Sequence, residues 1–321
     1  MKTVADMVHW QGRVDTEEGP SGRRWHEAMQ PLEQSSGPAL ALLGFACDAG
    51  VARNHGRVGA RGGPTALRAA LANMPLRDGL LLADAGDVSC LASGHDDGLE
   101  IAQLQLSAAV AALLAQSHRP IVLGGGHEMA FGTFGGLAQY LQGGRAAPRI
   151  GVLNLDAHFD LRLGAQATSG TPFRQIAEDC QRRGWGFHYA CLGVSRFANT
   201  QALFDRAAAL DVRWLLDEQM TLADTEQIAT LVKNFLAGVD HLYFTFCLDV
   251  LPAALAPGVS APAARGVTLD VIEPIIDLVA GSGKLRVADI AELNPDFDID
   301  QRTALVAARL VARLAQSWEA N

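Results

Sequence analysis

The stretch NLDAHFDLR (154–162) sets Asp156, His158 and Asp160 at alternate positions, with Ala157 and Phe159 between them. In an extended segment the three polar side chains share one face and the two apolar ones the other. Carboxylates crowded into a partly buried place are costly unless a cation neutralises them. Two aspartates and a histidine suit a divalent transition ion. The same residues also read as a solvated acidic loop beside a helix cap. LGGGHE (123–128) adds His127 behind three glycines, which permit tight turns and close backbone approach. A phosphate loop is a weak reading there, because neither GxGxxG nor GxxxxGK is present. A lone histidine after glycines is more often structural than a ligand. TFCLDV (245–250) closes an apolar run with Cys247 and Asp249, two apart and so on one face of a strand. Cys247 alone reads as a small buried hydrophobe, and Asp249 as a cap on the proline-rich loop that follows. Together, His127, Asp156, His158, Asp160, Cys247 and Asp249 are too many ligands for one tetrahedral ion and suit two ions that share bridges. Glu292, in AELNP (291–295), is either a capping or salt-bridging acid or the holder of a cationic substrate group.

These motifs need a scaffold that brings them to one rim. Short apolar runs at 39–48, 119–128, 149–158, 188–195, 212–218, 241–250 and 285–295 read as strands. Several lack any polar face, so the sheet is expected to be covered on both sides. Helical patterns fall at 62–75, 97–117, 128–142, 170–183, 199–209, 220–237, 267–281 and 300–317. Alternating strand and helix predicts an α/β, doubly wound, mostly parallel sheet. In such a fold functional groups collect beyond the carboxyl ends of the strands, where GGGHE, DAHFD, CLD and ELNP all stand. Residues 1–36 are polar and irregular and read as an arm laid over a single domain spanning 37–321.

The chain has 321 residues, 49% hydrophobic and 19% charged, as expected of a soluble globular protein with a large core. A net charge of −9 argues against nucleic acid or an anionic membrane as the main partner. The opening MKTVADMVHW has no apolar signal core, and no run approaches the roughly 18 residues a membrane span needs. The five cysteines form no close-spaced pair. A reducing, cytoplasmic setting is expected, with thiols free or metal-bound rather than bridged.

GPTALR (63–68), DAGDV (84–88), GGGHE, DAHFD, LDVLPAALAPG and ELNP, in that order, resemble the arginase/agmatinase (ureohydrolase) family over most of residues 39–310. The resemblance implies two divalent ions, Mn2+ in the family, and an activated water that attacks a C=N carbon. It puts His127, Asp156, Asp160 and Cys247 around one ion, and Asp156, His158, Asp249 and Cys247 around the other. Position 247 is ordinarily a bridging aspartate, and a soft thiolate suits zinc or iron better than manganese. Arginases carry SGN-x-HG with a proton-shuttling histidine. Here SGTPFRQI (169–176) has Phe173 instead, which disfavours a guanidinium-cleaving arginase. WQGRVD, HFDLR, SGTPFRQI and LDVLPAALAPGVSAPA look like the histidine-degradation branch, which hydrolyses N-formimidoyl-L-glutamate to L-glutamate and formamide.

On that basis Glu292 orients the formimidoyl nitrogen, and Asp160 or another ligand carboxylate carries a proton to the leaving amine. Arg162, Ser169, Arg174 and Arg196 are the candidates for the two substrate carboxylates, since planar guanidinium pairs with them in bidentate fashion. A surface salt bridge is the competing role for each arginine. Two rivals remain: a guanidino-acid amidinohydrolase, and a metal-binding homologue disabled by Cys247. A small-molecule substrate is expected, without nucleic acid or membrane. Family relatives are often trimers or hexamers, which leaves a homo-oligomer open.

Overall fold

The computed structural model describes residues 2–77, 79–94, 96–144 and 146–319. Its strands are β1 (Met29–Pro31), β2 (Leu40–Ala46), β3 (Leu82–Ser89), β4 (Arg119–Gly124) and β5 (Ile150–Leu155), then β6 (His188–Val194), β7 (Arg213–Leu216), β8 (His241–Cys247) and β9 (Leu285–Ala291). The helices are α1 (Trp25–Ala28), α2 (Ala49–Arg53), α3 (Gly63–Ala72), α4 (Leu99–Ala115) and α5 (Met129–Leu141), followed by α6 (Pro172–Arg183), α7 (Gln201–Ala209), α8 (Thr225–Ala237), α9 (Leu269–Ala280) and α10 (Arg302–Glu319).

The strands form one sheet in the order β1-β3-β2-β4-β9-β8-β5-β6-β7, and every pairing between them is parallel. Alternation within each strand divides the core into two layers. Leu40, Leu42, Leu153 and Leu155 face the layer under α3, α8, α9 and α10. Ala41, Leu43, Phe45 and Val152 face the layer under α4 to α7. The doubly covered sheet expected from the uniformly apolar runs is therefore present. Among the described residues no helix is long and apolar enough to cross a membrane.

Two strands depart from the sequence reading. Leu82–Ser89 reads LADAGDVS, whose acids disguise it as a loop, yet it lies inside the sheet between β1 and β2. Its acids are consumed locally. Arg68, on α3, places Nε 2.7 Å from buried Asp84 Oδ2 and Nη1 2.7 Å from half-buried Asp87 Oδ1. The second departure is the amino-terminal segment, expected to be irregular. Its Met29–Pro31 adds a parallel edge strand to β3. Trp25 is buried, and buried Trp10 donates Nε1–H to Asp84 Oδ2 at 2.7 Å. The segment thereby closes the Arg68–Asp84 network from outside.

The cysteines also need a correction. Cys47 and Cys90, just beyond the ends of adjacent β2 and β3, are joined as a disulfide with Cα atoms 5.2 Å apart. Parallel neighbours ending in register bring together two residues that are 43 apart in sequence, a proximity that spacing along the chain does not reveal. Cys180, Cys191 and Cys247 are free and buried.

Asp84→Ala should leave a buried guanidinium short of its main partner and destabilise the fold by about 3–5 kcal/mol. Urea denaturation checks this; a loss below about 1 kcal/mol would contradict the network's structural role.

Candidate metal centre

The four motif-bearing strands are β4, β9, β8 and β5, four consecutive members at the middle of the sheet. After β4 the chain turns over the end of β2. Gly125 N–H donates to the Phe45 carbonyl and Gly126 N–H to the Cys47 carbonyl. A Cβ on Gly125 would collide with both carbonyl oxygens, so only glycine allows this crossing. The turn delivers His127, 1% exposed, with Nδ1 lying 3.0 Å from Asp156 Oδ2 and 3.1 Å from Asp160 Oδ2. The other ring nitrogen, Nε2, is 2.9 Å from Thr245 Oγ1 on β8. Thr245 in turn bonds Asp289, which also accepts from the Tyr243 hydroxyl at 2.5 Å.

Beyond β5 the chain leaves the sheet and bends at residues 157–158 in place of the expected extended run. Asp156 Oδ1 accepts the His158 N–H at 2.7 Å, and Asp160 has φ +48°. Ala157 and Phe159 are nonetheless buried, pinned by Asn199, whose side chain bonds the Phe159 N–H and the Ala157 carbonyl. His158 Nδ1 lies 3.0 Å from Asp249 Oδ2 and 3.5 Å from Asp156 Oδ1. The strand expected to carry both Cys247 and Asp249 stops at Cys247; Leu248–Val250 is a tight helical turn. That turn, rather than strand alternation, brings the two to the same cavity.

Ligand atoms of His127, Asp156 and Cys247 lie within 4.8 Å of one another, as do those of Asp156, His158 and Asp249. Asp156 belongs to both groups. Burial opposes ionisation of Asp156, and the two imidazoles outweigh it, holding the carboxyl well below its usual range. Burial opposes protonation of both histidines, yet the surrounding carboxylates raise them well above their ordinary value. Asp160 is pushed up to about 6 by burial and by Asp156, and burial raises the Cys247 thiol well above normal. Asp249 Oδ1 and His127 Nδ1 are buried without an aligned hydrogen bond. A crowd of acids with imidazole and thiol ligands among them fits a pair of divalent cations, which would neutralise the carboxylates and leave the imidazoles as neutral ligands.

Glu292, just past β9 with φ +72°, accepts the His127 N–H through Oε1 at 2.9 Å. Its Oε2 is buried without a partner and the residue lines the cavity. Burial, then the charge of Glu128, pushes it up to about 8. Phe173 stacks on Tyr189 at 4.5 Å and turns toward the edge of the His127 ring at 5.3 Å. Glu128 Oε1 accepts the Gly50 N–H at 2.8 Å, and the Gly50 carbonyl accepts the Ser169 N–H.

The cavity over these groups has a volume of about 270 Å³, and Arg162 and Ser169 line it. Arg174 and Arg196 do not. Arg174 binds Glu178 at 2.5 Å and the Arg162 carbonyl at 2.8 Å. Arg196 pairs with Glu218 at 3.3 Å on the wall of a neighbouring groove. Both are corrected to structural or surface roles. Asn54, His55, Asn199 and Ser260 also line the cavity and escaped the sequence reading. Asn199 stands in the same GVSRFANT segment that suggested Arg196, where charge drew attention from the amide. Asn54 sits in ARNHGR, far along the chain from any ligand motif.

A parallel α/β sheet with an acidic, histidine-bearing cradle at its central carboxyl ends defines a metal-dependent hydrolase. The arginase family model matches residues 38–316, and the chain belongs to the arginase family. It is 61% identical to the formimidoylglutamase of Ralstonia nicotianae, covering 98% of this chain and 96% of the relative. It is 54% identical to that of Aeromonas hydrophila, over 96% and 97% of the two chains. The crystal structure of Trypanosoma cruzi formiminoglutamase with Mn2+2 shares the fold, with a TM-score of 0.76 and 24% identity over 88% of this chain and 94% of the other.

Thr245→Val should remove the oxygen that orients His127 and weaken metal binding about 10–100-fold. Metal titration of the stripped protein checks this, and an unchanged affinity would rule out the orienting role.

Proposed function

We propose that the chain hydrolyses N-formimidoyl-L-glutamate to L-glutamate and formamide, a step of histidine degradation. The carrying observation is the cavity's lining: buried acids at the sheet end and, in the same cavity, an Arg162 side chain with no ion pair among the described residues. That arrangement suits a substrate with a cationic amidine at one end and carboxylates at the other. The 61% identity to a formimidoylglutamase over nearly the whole chain supports the same reading.

His127, Asp156, Asp160 and Cys247 would hold one divalent ion, and Asp156, His158, Asp249 and Cys247 the second, with Mn2+ the candidate. When bound, such ions supply Lewis acidity and lower the pKa of water enough to provide a nucleophile near neutral pH. Glu292 accepts a hydrogen bond from the amidinium through its free Oε2, while Oε1 stays anchored to the His127 N–H. This fixes the electrophilic carbon over the cradle. Water oxygen joins that carbon, the bond to the glutamate nitrogen breaks, and the amine departs with a proton. Asp160 is the carboxylate assigned to carry it, because Phe173 leaves no histidine to do so. Phe173 and Tyr189 instead wall off one side of His127. Arg162 and Ser169 bind substrate carboxylate. A cytoplasmic setting suits a small diffusible substrate.

The test is glutamate release from formimidoylglutamate by protein of measured metal content. Release is expected, lost on chelation and restored by Mn2+; urea production from a guanidino acid in its place would overturn the assignment. Glu292→Gln should lower kcat about 100-fold or more with metal content unchanged. Cys247→Asp should improve Mn2+ retention through a harder bridge; unchanged retention would argue that position 247 binds no metal.

A further inference from the structure

Residues 54–56 form one wall of the cavity, and the two arginines that bracket them are both spent on structure. Arg53 binds Asp97 at 2.7 Å, Glu100 at 2.6 Å and the Ala167 carbonyl at 2.9 Å. Arg57 binds the Val259 and Ser260 carbonyls and lies 4.3 Å over the Phe297 ring. Asn54 sits between these anchors. Its backbone N–H donates to the Gly50 carbonyl at 3.0 Å, and Gly50 is itself gripped by Glu128 beside the metal cradle. The next residue, His55, adopts φ +60°, unusual for a residue with a side chain and tolerated where surroundings enforce it. The Asn54 side chain is therefore fixed from both sides and lines the cavity.

One amide N–H of Asn54 donates to Ser169 Oγ at 3.2 Å. Both Asn54 and Arg162 close over Gly170. A Cβ there would come within 3.3 Å of Asn54 Nδ2 and 2.8 Å of Arg162 Cδ. Glycine at 170 thus keeps room for the two side chains to stand together. The second Asn54 N–H, the Ser169 hydroxyl hydrogen and the Arg162 guanidinium find no acceptor among the described residues. Three unspent donors, one fully charged, converge on one wall, and a carboxylate offers about four acceptor sites to such a set.

We propose that Asn54 is a specificity-determining residue which, with Ser169 and Arg162, forms the subsite for one of the two substrate carboxylates. This rests on the reading of formimidoylglutamate as substrate. Asn54 supplies geometry where Arg162 supplies charge: its amide binds the carboxylate and also orients the Ser169 hydroxyl toward it by occupying that oxygen's lone pair. Aspartate at 54 would set an anion against an anion without changing side-chain shape.

The experiment compares Asn54→Ala and the near-isosteric Asn54→Asp with the unaltered enzyme on three substrates. These are N-formimidoyl-L-glutamate and two analogues, N-formimidoyl-4-aminobutyrate and N-formimidoyl-2-aminobutyrate, each lacking one carboxylate. Asn54→Ala should lower kcat/KM about tenfold, mainly through KM, on the parent and on the analogue that keeps the bound carboxylate, and leave the other analogue nearly unaffected. Asn54→Asp should cost about 100-fold on the parent with the same selectivity. Metal content equal to that of the unaltered enzyme shows that the fold and cradle survive. Loss of equal size on all three substrates, or no loss, overturns the role of Asn54 while leaving the reaction intact. Failure of the unaltered enzyme to release glutamate from the parent overturns the reaction and this subsite with it.

Discussion

The molecule is organised around negative charge held where water cannot screen it. Asp156 is fully buried between His127 and His158, with Asp160, Asp249 and Glu292 close by. Burying that many carboxylates is unfavourable unless positive charge enters among them. The carboxylates raise both imidazoles well above their ordinary pKa against the opposing effect of burial; divalent cations would take over the neutralisation and leave the imidazoles as neutral ligands. The same electrostatic pressure that makes the cradle costly without metal therefore makes it a metal site.

Holding such a cradle open requires a stiff support, and the support is built in layers. Thr245, Asp289 and Tyr243 form a hydrogen-bonded row behind His127, and Asn154 braces Asp156 at 3.0 Å. Glu128 and Gly50 connect the loop carrying His127 to the backbone of Ser169. The His127 and Ser169 sides of the cavity are thus mechanically joined through one glycine, whose missing side chain leaves space for the Glu128 carboxyl. On the proposed reading the reacting carbon sits over the cradle while the carboxylates sit near Ser169, and a fixed separation between the two would serve that chemistry.

Chemical type alone did not decide which polar residues serve substrate. Arg53, Arg57, Arg68, Arg174 and Arg196 all have structural or surface partners. Arg162 differs in having no ion pair among the described residues. Phe173 makes the complementary point. An apolar ring at the edge of His127 is compatible with an amidine, a better electrophile than guanidinium, and less so with a reaction that needs a proton shuttle there.

The order of apolar runs and amphipathic segments was enough to determine a doubly covered parallel sheet, because periodicities of two and 3.6 record which faces are buried. The motifs whose acids and histidines meet in the cradle were legible because such residues after apolar runs have few other uses. The sequence did not reveal the β3 strand, whose acids belong to Arg68, or the edge strand at Met29–Pro31. Nor did it reveal that Cys47 faces Cys90, that a helical turn rather than a strand presents Asp249, or that Asn54 completes a wall shared with Ser169. Each of these depends on contacts between residues distant along the chain, and the sheet order β4-β9-β8-β5 exists only once the chain has crossed over itself. Local pattern specifies what an element buries; which neighbour it is buried against is decided by packing of the whole.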